Sequence, residues 1–237
     1  MNEQVNRIKG KLKQLKQLDN INSLFGAQKH RYKINPPISS NTIQQFEATH
    51  QVKLPDDYIT FLTEIGNGGA GPYYGLEPLQ NSIYADLDYP TQDFLLNPGK
   101  PFVHTEPWNL TFEPSVDEDE YEEEYENEQA AFEEKYFNIE HMNGVVAICN
   151  FGCAISLNLV VNGAEYGNIW TDDRASDQGI YPSYELGNKE KITFLNWYEL
   201  WLDNSLKEIR TKLSLPEKAG ETALKQIAKP KPWWKIW

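Results

Sequence analysis

Two cysteines, Cys149 and Cys153, stand in the string Cys-Asn-Phe-Gly-Cys, a spacing that half of a structural zinc site could use. Such a site needs four ligands, and the chain contains no second pair, so the two are read as small apolar side chains at a strand turn. The histidines His30, His50, His104 and His141 are scattered, and none falls in His-Glu-x-x-His or a similar metal pattern. Asp172-Asp173-Arg174 and Asp86-Leu87-Asp88 gather carboxylates as an acid–base or divalent-metal site would, although adjacent carboxylates in loops are ordinarily only solvated. No Gly-x-Ser-x-Gly elbow presents a nucleophile. The cluster Gly66-Asn67-Gly68-Gly69-Ala70-Gly71 lacks the Lys-Ser/Thr of a phosphate loop and the spacing of a dinucleotide fingerprint, and it reads as a turn. No cofactor or metal is therefore expected, and no catalytic activity.

The strongest chemical signal is electrostatic. Residues 117–134 hold 11 acidic and no basic residues, whereas the remainder carries 24 acidic against 22 basic and is close to neutral. A block of this kind repels itself and is a solvated or partner-bearing segment rather than core. Its field disfavours direct nucleic-acid binding and favours a basic partner. Glu118, Glu120, Tyr121, Glu122, Glu123, Glu124 and Tyr125 are the candidate partner-binding residues. Tyr121, Tyr125, Phe132 and Tyr136 recur at helical spacing through the block, so an aromatic stripe would dock an otherwise acidic helix on the core.

The elements that must position this block are partly written in the chain. Over Leu54–Gly69, Pro55 suits a first helical position and Asp56 and Asp57 suit the positive end of the dipole. Tyr58, Phe61, Leu62 and Ile65 form one buried stripe, Gly66 is the expected left-handed stop, and Asn67-Gly68-Gly69 turns the chain away. Ser40 to Gln51 is a polar helix with Ile43 and Phe46 inward. Ile155, Leu157, Leu159 and Val161 alternate with Ala154, Ser156, Asn158 and Val160, the pattern of a strand with one better-buried face. Asn162-Gly163 reads as a two-residue hairpin turn from which the strand ending at Ile169-Trp170 returns antiparallel. Thr193 is placed to cap a last helix with Phe194, Trp197, Tyr198 and Trp201 inward.

The string Leu54-Pro55-Asp56-Asp57-Tyr58 to Phe61-Leu62, running into Asn67-Gly68-Gly69, resembles the SMI1/KNR4 family of the SUKH superfamily. Tyr74 to Leu79, Gly144 to Ile148, Gly152 to Leu159, Gly167 to Trp170 and the helix Ile192 to Leu206 are similar to its flanking elements, so the resemblance covers roughly residues 38–80 and 144–206. It implies an α+β fold, a twisted and mainly antiparallel sheet flanked by helices. Bacterial members are typically immunity proteins that bind and neutralise a polymorphic or contact-dependent toxin, often a nuclease. Fungal members are regulatory interaction modules. The implied function is thus non-catalytic binding of a cognate protein toxin with a basic surface. A regulatory protein–protein scaffold and a metal-dependent hydrolase built on Asp172, Asp173 or the acidic block are the second and third readings.

The domain organisation expected is a basic amphipathic extension over 1–35, a family-like domain over 36–206 and a Trp-rich tail over 207–237. Residues 81–143 form an insertion or expanded connection carrying the acidic block. Val5, Ile8, Leu12 and Leu15 keep helical spacing, so residues 1–34 begin with a helix that packs on its own domain or on a sister chain, a membrane-surface helix being the remaining option. Trp233, Trp234 and Trp237 carry more apolar area than a free tail exposes, which leaves docking on the domain, on a partner chain as a homo-oligomer, or on a membrane interface. No apolar run reaches the ~20 residues of a membrane span. The N-terminus lacks a secretory signal pattern, and a cytoplasmic location is expected.

Overall fold

The computed structural model describes residues 2–214. Four helices, α1 (Asn2–Leu18), α2 (Ala27–His30), α3 (Ser40–His50) and α4 (Asp56–Glu64), precede a long irregular stretch and the helix α5 (Glu122–Tyr136). Strands β1 (Val145–Gly152), β2 (Ile155–Val160), β3 (Ile169–Asp173) and β4 (Gly179–Pro182) follow, and α6 (Phe194–Ser214) closes the described chain. The strands form one antiparallel sheet in the order β1-β2-β3-β4, and the fold is α+β.

One sheet face packs on helices. Val146, Ile148, Leu157, Leu159 and Ile169 share a core with Val5, Ile8 and Leu15 of α1, Ile43 of α3, the α4 stripe and the apolar side of α6. Phe61 is fully buried, its ring 5.1 Å from Phe194 and 4.9 Å from Tyr198. The helix α1 therefore packs on its own chain. Gln4 bonds to Asn196, Arg7 to Glu199 and Lys11 to Glu199 and Asp203, so α1 and α6 run parallel.

Several local expectations are corrected. The better-buried face of β2 has no solvated opposite: Val145, Ala147, Val160, Trp170 and Ile180 form a second core with Leu96, Phe102 and Met142. Residues 81–143 thus cover the far side of the sheet. Asn162-Gly163 is not a hairpin turn, because Phe102 occupies it: Phe102 N donates to Asn162 O at 2.9 Å, and a Cβ on Gly163 would lie 2.6 Å from Phe102 O. The chain takes residues 161–168 to pass from β2 to β3. The two-residue hairpin lies instead at Cys153-Ala154, where φ is 56° and 60°.

Pro55 precedes the first helical residue of α4 and is its N-cap, one position earlier than expected. Gly66 is not a left-handed stop, since the positive φ values fall at Gly68 (81°) and Gly69 (106°). It is glycine for space, as a Cβ there would lie 2.1 Å from the Ile34 side chain and 2.3 Å from Asn35 O. The N-terminus of α6 is capped from another helix, Leu195 N donating to Asp57 Oδ2 at 3.1 Å, while the Thr193 hydroxyl accepts from the Asn196 amide. The helix α6 runs on to Ser214 rather than ending at Leu206. The docking expected of Trp233, Trp234 and Trp237 lies outside the described residues.

Truncating Phe61 removes a ring that both α4 and α6 rely on. Phe61→Ala is expected to lower unfolding free energy by about 3–5 kcal/mol, read from urea denaturation. An unchanged midpoint would place the α4 stripe outside the core.

Candidate functional site

The acidic helix is held by a structure that begins on β4. Trp108 and Ile180 exchange backbone hydrogen bonds of 2.8 and 2.7 Å, which fixes the Trp108 ring beside the sheet edge. That ring stacks on Tyr136 at 5.6 Å and meets His141 at 4.1 Å. Phe132 stacks on Tyr136, and Phe112 packs on both Phe132 and Tyr125. The stripe expected from the sequence is thus a docking face, made by Tyr125, Phe132 and Tyr136. Tyr136 OH donates to Asn109 Oδ1 at 2.5 Å, so the buried end of the stripe has its polar group satisfied.

The C-terminal end of α5 is clamped by the cluster that looked most like catalytic chemistry. Arg174 is buried, and its guanidinium makes a two-point contact with Asp172 at 2.8 and 2.7 Å. The same guanidinium donates to Tyr136 O at 2.9 Å and Asn138 O at 3.0 Å, a cation placed where the helix leaves its last carbonyls unpaired. Asp172 is thereby committed to Arg174. Asp173 accepts from Tyr181 OH at 3.2 Å, and burial raises its pKa. Asp86 lies apart from both, accepting from the backbone of Asp88 and Tyr89, and Asp88 accepts from Asn150.

The other chemistry-bearing residues are dispersed as well. Cys149 is buried, with Sγ donating to Pro72 O, whereas Cys153 is exposed on the hairpin. His104 and His141 stack 5.4 Å apart beside Trp108, and His30 and His50 lie on the helical side. Burial pushes His104 down to about 4, with His141 and Arg174 acting in the same direction. Among the described residues no group of three or more His, Cys, Asp and Glu is arranged to hold a metal ion.

In the turn before the clamped helix and in its first turn, Glu118, Glu120, Glu122, Glu123 and Glu124 are exposed and form no ion pair among the described residues. Glu122, Glu123 and Glu124 occupy the first turn, where the dipole favours negative charge. Tyr121 is 54% exposed at the N-cap, while Tyr125 is half-buried against Phe112. Together with Asn127, residues 120–124 line a shallow, open concavity of ≈ 460 Å³. A larger cleft of ≈ 630 Å³ between α3 and the 161–166 segment has Glu47 as its carboxylate, already bonded to Lys53 and to Leu54 N. Phe112 and Asn109 were missed by sequence reasoning, and Arg174 was noticed only as part of the Asp172-Asp173-Arg174 cluster, not as a helix clamp. The Asp172–Arg174 spacing places both on one side of a strand end, but nothing local announces the helix carbonyls they serve.

A sheet with one helical side and one loop-built side, the latter carrying a clamped acidic helix, defines an α+β domain. The family model described as the SMI1 / KNR4 family (SUKH-1) matches residues 37–188, and the chain belongs to that family. The match runs from the start of α3 through β4, leaving α1, α2 and α6 outside it. Comparison with curated proteins gave no match, and neither did comparison with solved structures.

Two outcomes follow from the docking of α5. Arg174→Gln should speed amide exchange across residues 122–138 at least about 10-fold while β1 to β3 stay protected; unchanged exchange in α5 would deny Arg174 its clamping role. His104 is neutral in the fold, whereas an unfolded histidine titrates near 6.5. The unfolded chain then binds more protons between those values, so stability is full above about 6.5 and falls as pH drops toward about 4. Burial lowers His30 to about 4 as well, so His104→Phe should reduce, without abolishing, the fall in melting temperature across that window, and an unaltered slope would exclude His104 as a contributor.

Proposed function

We propose that this protein is an immunity-type binding protein whose acidic helix α5 receives a basic protein toxin, with the toxin a nuclease or another enzyme that must hold phosphate. Membership of the SMI1/KNR4 family supports the binding class. The observation that carries the rest is the pairing of opposite properties in α5. One face is anchored by Tyr125, Phe132, Tyr136 and the Arg174 clamp, while the exposed first turn, with Glu122, Glu123 and Glu124, and the turn before it, with Glu118 and Glu120, form no ion pair among the described residues. A fixed array of one charge sign steers an oppositely charged partner and is positioned before contact, so little ordering remains to be done on binding. Tyr121 adds an exposed aromatic contact at the rim of the concavity.

The reading predicts a toxin gene beside this one and is tested with that gene's product; a neighbourhood without one counts against it. Co-expression should protect cells from that toxin, and the purified pair should associate rapidly at low salt. Replacing Glu118, Glu120, Glu122, Glu123 and Glu124 by Gln should slow association roughly 10-fold or more at low salt with the fold intact, because steering acts mainly on the association rate. Stopped-flow rates measured across a salt series decide it. Parallel rates and equal salt slopes for the two proteins would reduce α5 to a solubilising surface.

A further inference from the structure

The fold leaves a second surface uncovered, and its charge is opposite to that on α5. Ile21 is 75% exposed, Phe25 65% and Tyr74 37%, and the Phe25 ring lies 5.4 Å from Tyr74 and 6.4 Å from Tyr73. The loop that bears Ile21 and Phe25 is tied to a buried base. The Asp19 carboxylate accepts from Ser23 N, Ser23 Oγ, Leu24 N and Tyr32 OH at 2.6–3.1 Å, and Phe151 backs Tyr73 at 4.1 Å.

Residues 1–46 carry eight basic residues against two acidic ones, Glu3 and the buried Asp19. Lys29 Nζ sits 5.2 Å over the Tyr74 ring, and Arg31 and Lys33 flank Tyr32, whose hydroxyl is held by Asp19. Lys29, Arg31 and Lys33 are exposed and form no ion pair among the described residues, whereas Arg7 and Lys11 are spent on Glu199 and Asp203. An apolar pair rimmed by unpaired cations is matched by a partner with carboxylates around an aromatic group. The chain itself carries one. Residues 120–124 and Asn127 line the open concavity of ≈ 460 Å³, with Tyr121 54% exposed at its rim.

We propose that the Phe25–Tyr74 patch of one copy docks on the N-terminal turn of α5 in a second copy. Phe25 enters the concavity against Tyr121, while Lys29, Arg31 and Lys33 meet Glu120, Glu122 and Glu123. Within one chain no ion pair joins the two surfaces among the described residues, and the aromatic anchor and Arg174 clamp hold α5 in place. The formal charge of −13 opposes the approach of two copies, yet 11 of the acidic residues lie in the block that the contact neutralises. At about 0.1 M salt the Debye length is about 10 Å, so charges a molecular width apart are largely screened and touching pairs much less so. The contact joins unlike surfaces: copies that make it twice close into a pair, and copies that make it once extend into a chain. It covers carboxylates that a basic toxin would use, but it does not rest on the toxin reading, and its test contains no toxin.

Sedimentation velocity of the full chain in about 0.1 M salt tests this. The mean mass should rise above that of the monomer by ~1 mM protein. It should fall back at about 1 M salt, where the screening length is about 3 Å. Lys29→Glu/Arg31→Glu/Lys33→Glu and Glu120→Lys/Glu122→Lys/Glu123→Lys should each be monomeric alone, because each sets like charges against one another. Mixed, the two should associate again, since the intact patch of one faces the intact helix of the other and the two reversed surfaces also match. Phe25→Ser should weaken association at least about 10-fold, as the loss of a central aromatic contact. Melting temperatures serve as the control for folding. A wild type that stays monomeric to ~1 mM overturns the proposal, and binding of the patch to anionic vesicles in that case would give it to a membrane instead. A mixture of the two folded variants that remains monomeric overturns it too, as does association that neither charge reversal disturbs.

Discussion

The arrangement of the helical side rests on one close approach of backbones. Gly69 exchanges hydrogen bonds of 2.8 and 2.7 Å with Leu76, Ala70 N donates to Lys33 O at 2.7 Å, and Asn35 N donates to Gly68 O at 3.0 Å. Leu76 bridges in turn to Cys149 of β1, and Glu77 N donates to Ile148 O. Residues 33–35, 68–70 and 76–77 are thus laid side by side onto the β1 edge. A Cβ on Gly69 would sit 2.4 Å from Lys33 O, and one on Gly68 would sit 2.8 Å from Glu77 C and O and Leu76 O. With Gly69 at φ 106°, both sterics and conformation exclude a side chain. Tyr198 OH donates to Ala70 O at 2.9 Å, so the position of α6, and through it that of α1, refers back to the same turn. The glycine cluster works as a joint, and the N–H groups of Gly66, Asn67, Gly69 and Ala70 are spent on protein carbonyls rather than left for a phosphate.

Covering both faces of a four-stranded sheet gives residues 81–143 a structural role. Trp170 is completely buried with Phe102 at 5.1 Å, and removing the 81–143 layer would expose it together with Val145, Ala147, Val160 and Ile180. At roughly 25 cal/mol per Å² of apolar surface, side chains of that size represent several kcal/mol, comparable with the net stability of a domain. The segment that carries the acidic block is therefore part of the fold, and the block inherits its rigidity. A carboxylate array on a loose tether would present its charge as a diffuse cloud. On α5 it keeps one orientation relative to the sheet.

The sequence was readable where a local pattern and its structural cause coincide. The α4 stripe, the α3 helix, the amphipathic α1 and the aromatic face of α6 are all periodic, and each appears close to its expected place. Reading failed where the cause is distant in the chain. Asn162-Gly163 has ideal turn chemistry, but its glycine answers the approach of Phe102, some 60 residues earlier. Cys153-Ala154 has poor turn chemistry, yet the pairing of Gly152 with Ile155 leaves only two residues to close the hairpin. Of the candidate site, the acidic composition and aromatic stripe were legible. Arg174 was not, because its partners are backbone carbonyls of a helix whose docking no local spacing reveals.

The clamp and the charge array depend on each other in a way that bears on recognition. Carboxylates crowded on one helix repel one another, and the local field favours unfolding of that helix unless tertiary contacts offset it. Here the offset comes from rings and from a guanidinium at the far end of the helix, leaving the charged N-terminal turns unneutralised. Had Arg174 or the nearby Lys135 instead faced the glutamates, the helix would be steadier but its outward field weaker. A partner bearing cations would relieve the residual repulsion on contact, so under the function proposed above the unfavourable self-energy of the free helix would become part of the driving force for association. Stability of the free protein and affinity for a basic partner would then be balanced within α5, with the aromatic anchor setting how much repulsion the helix can retain.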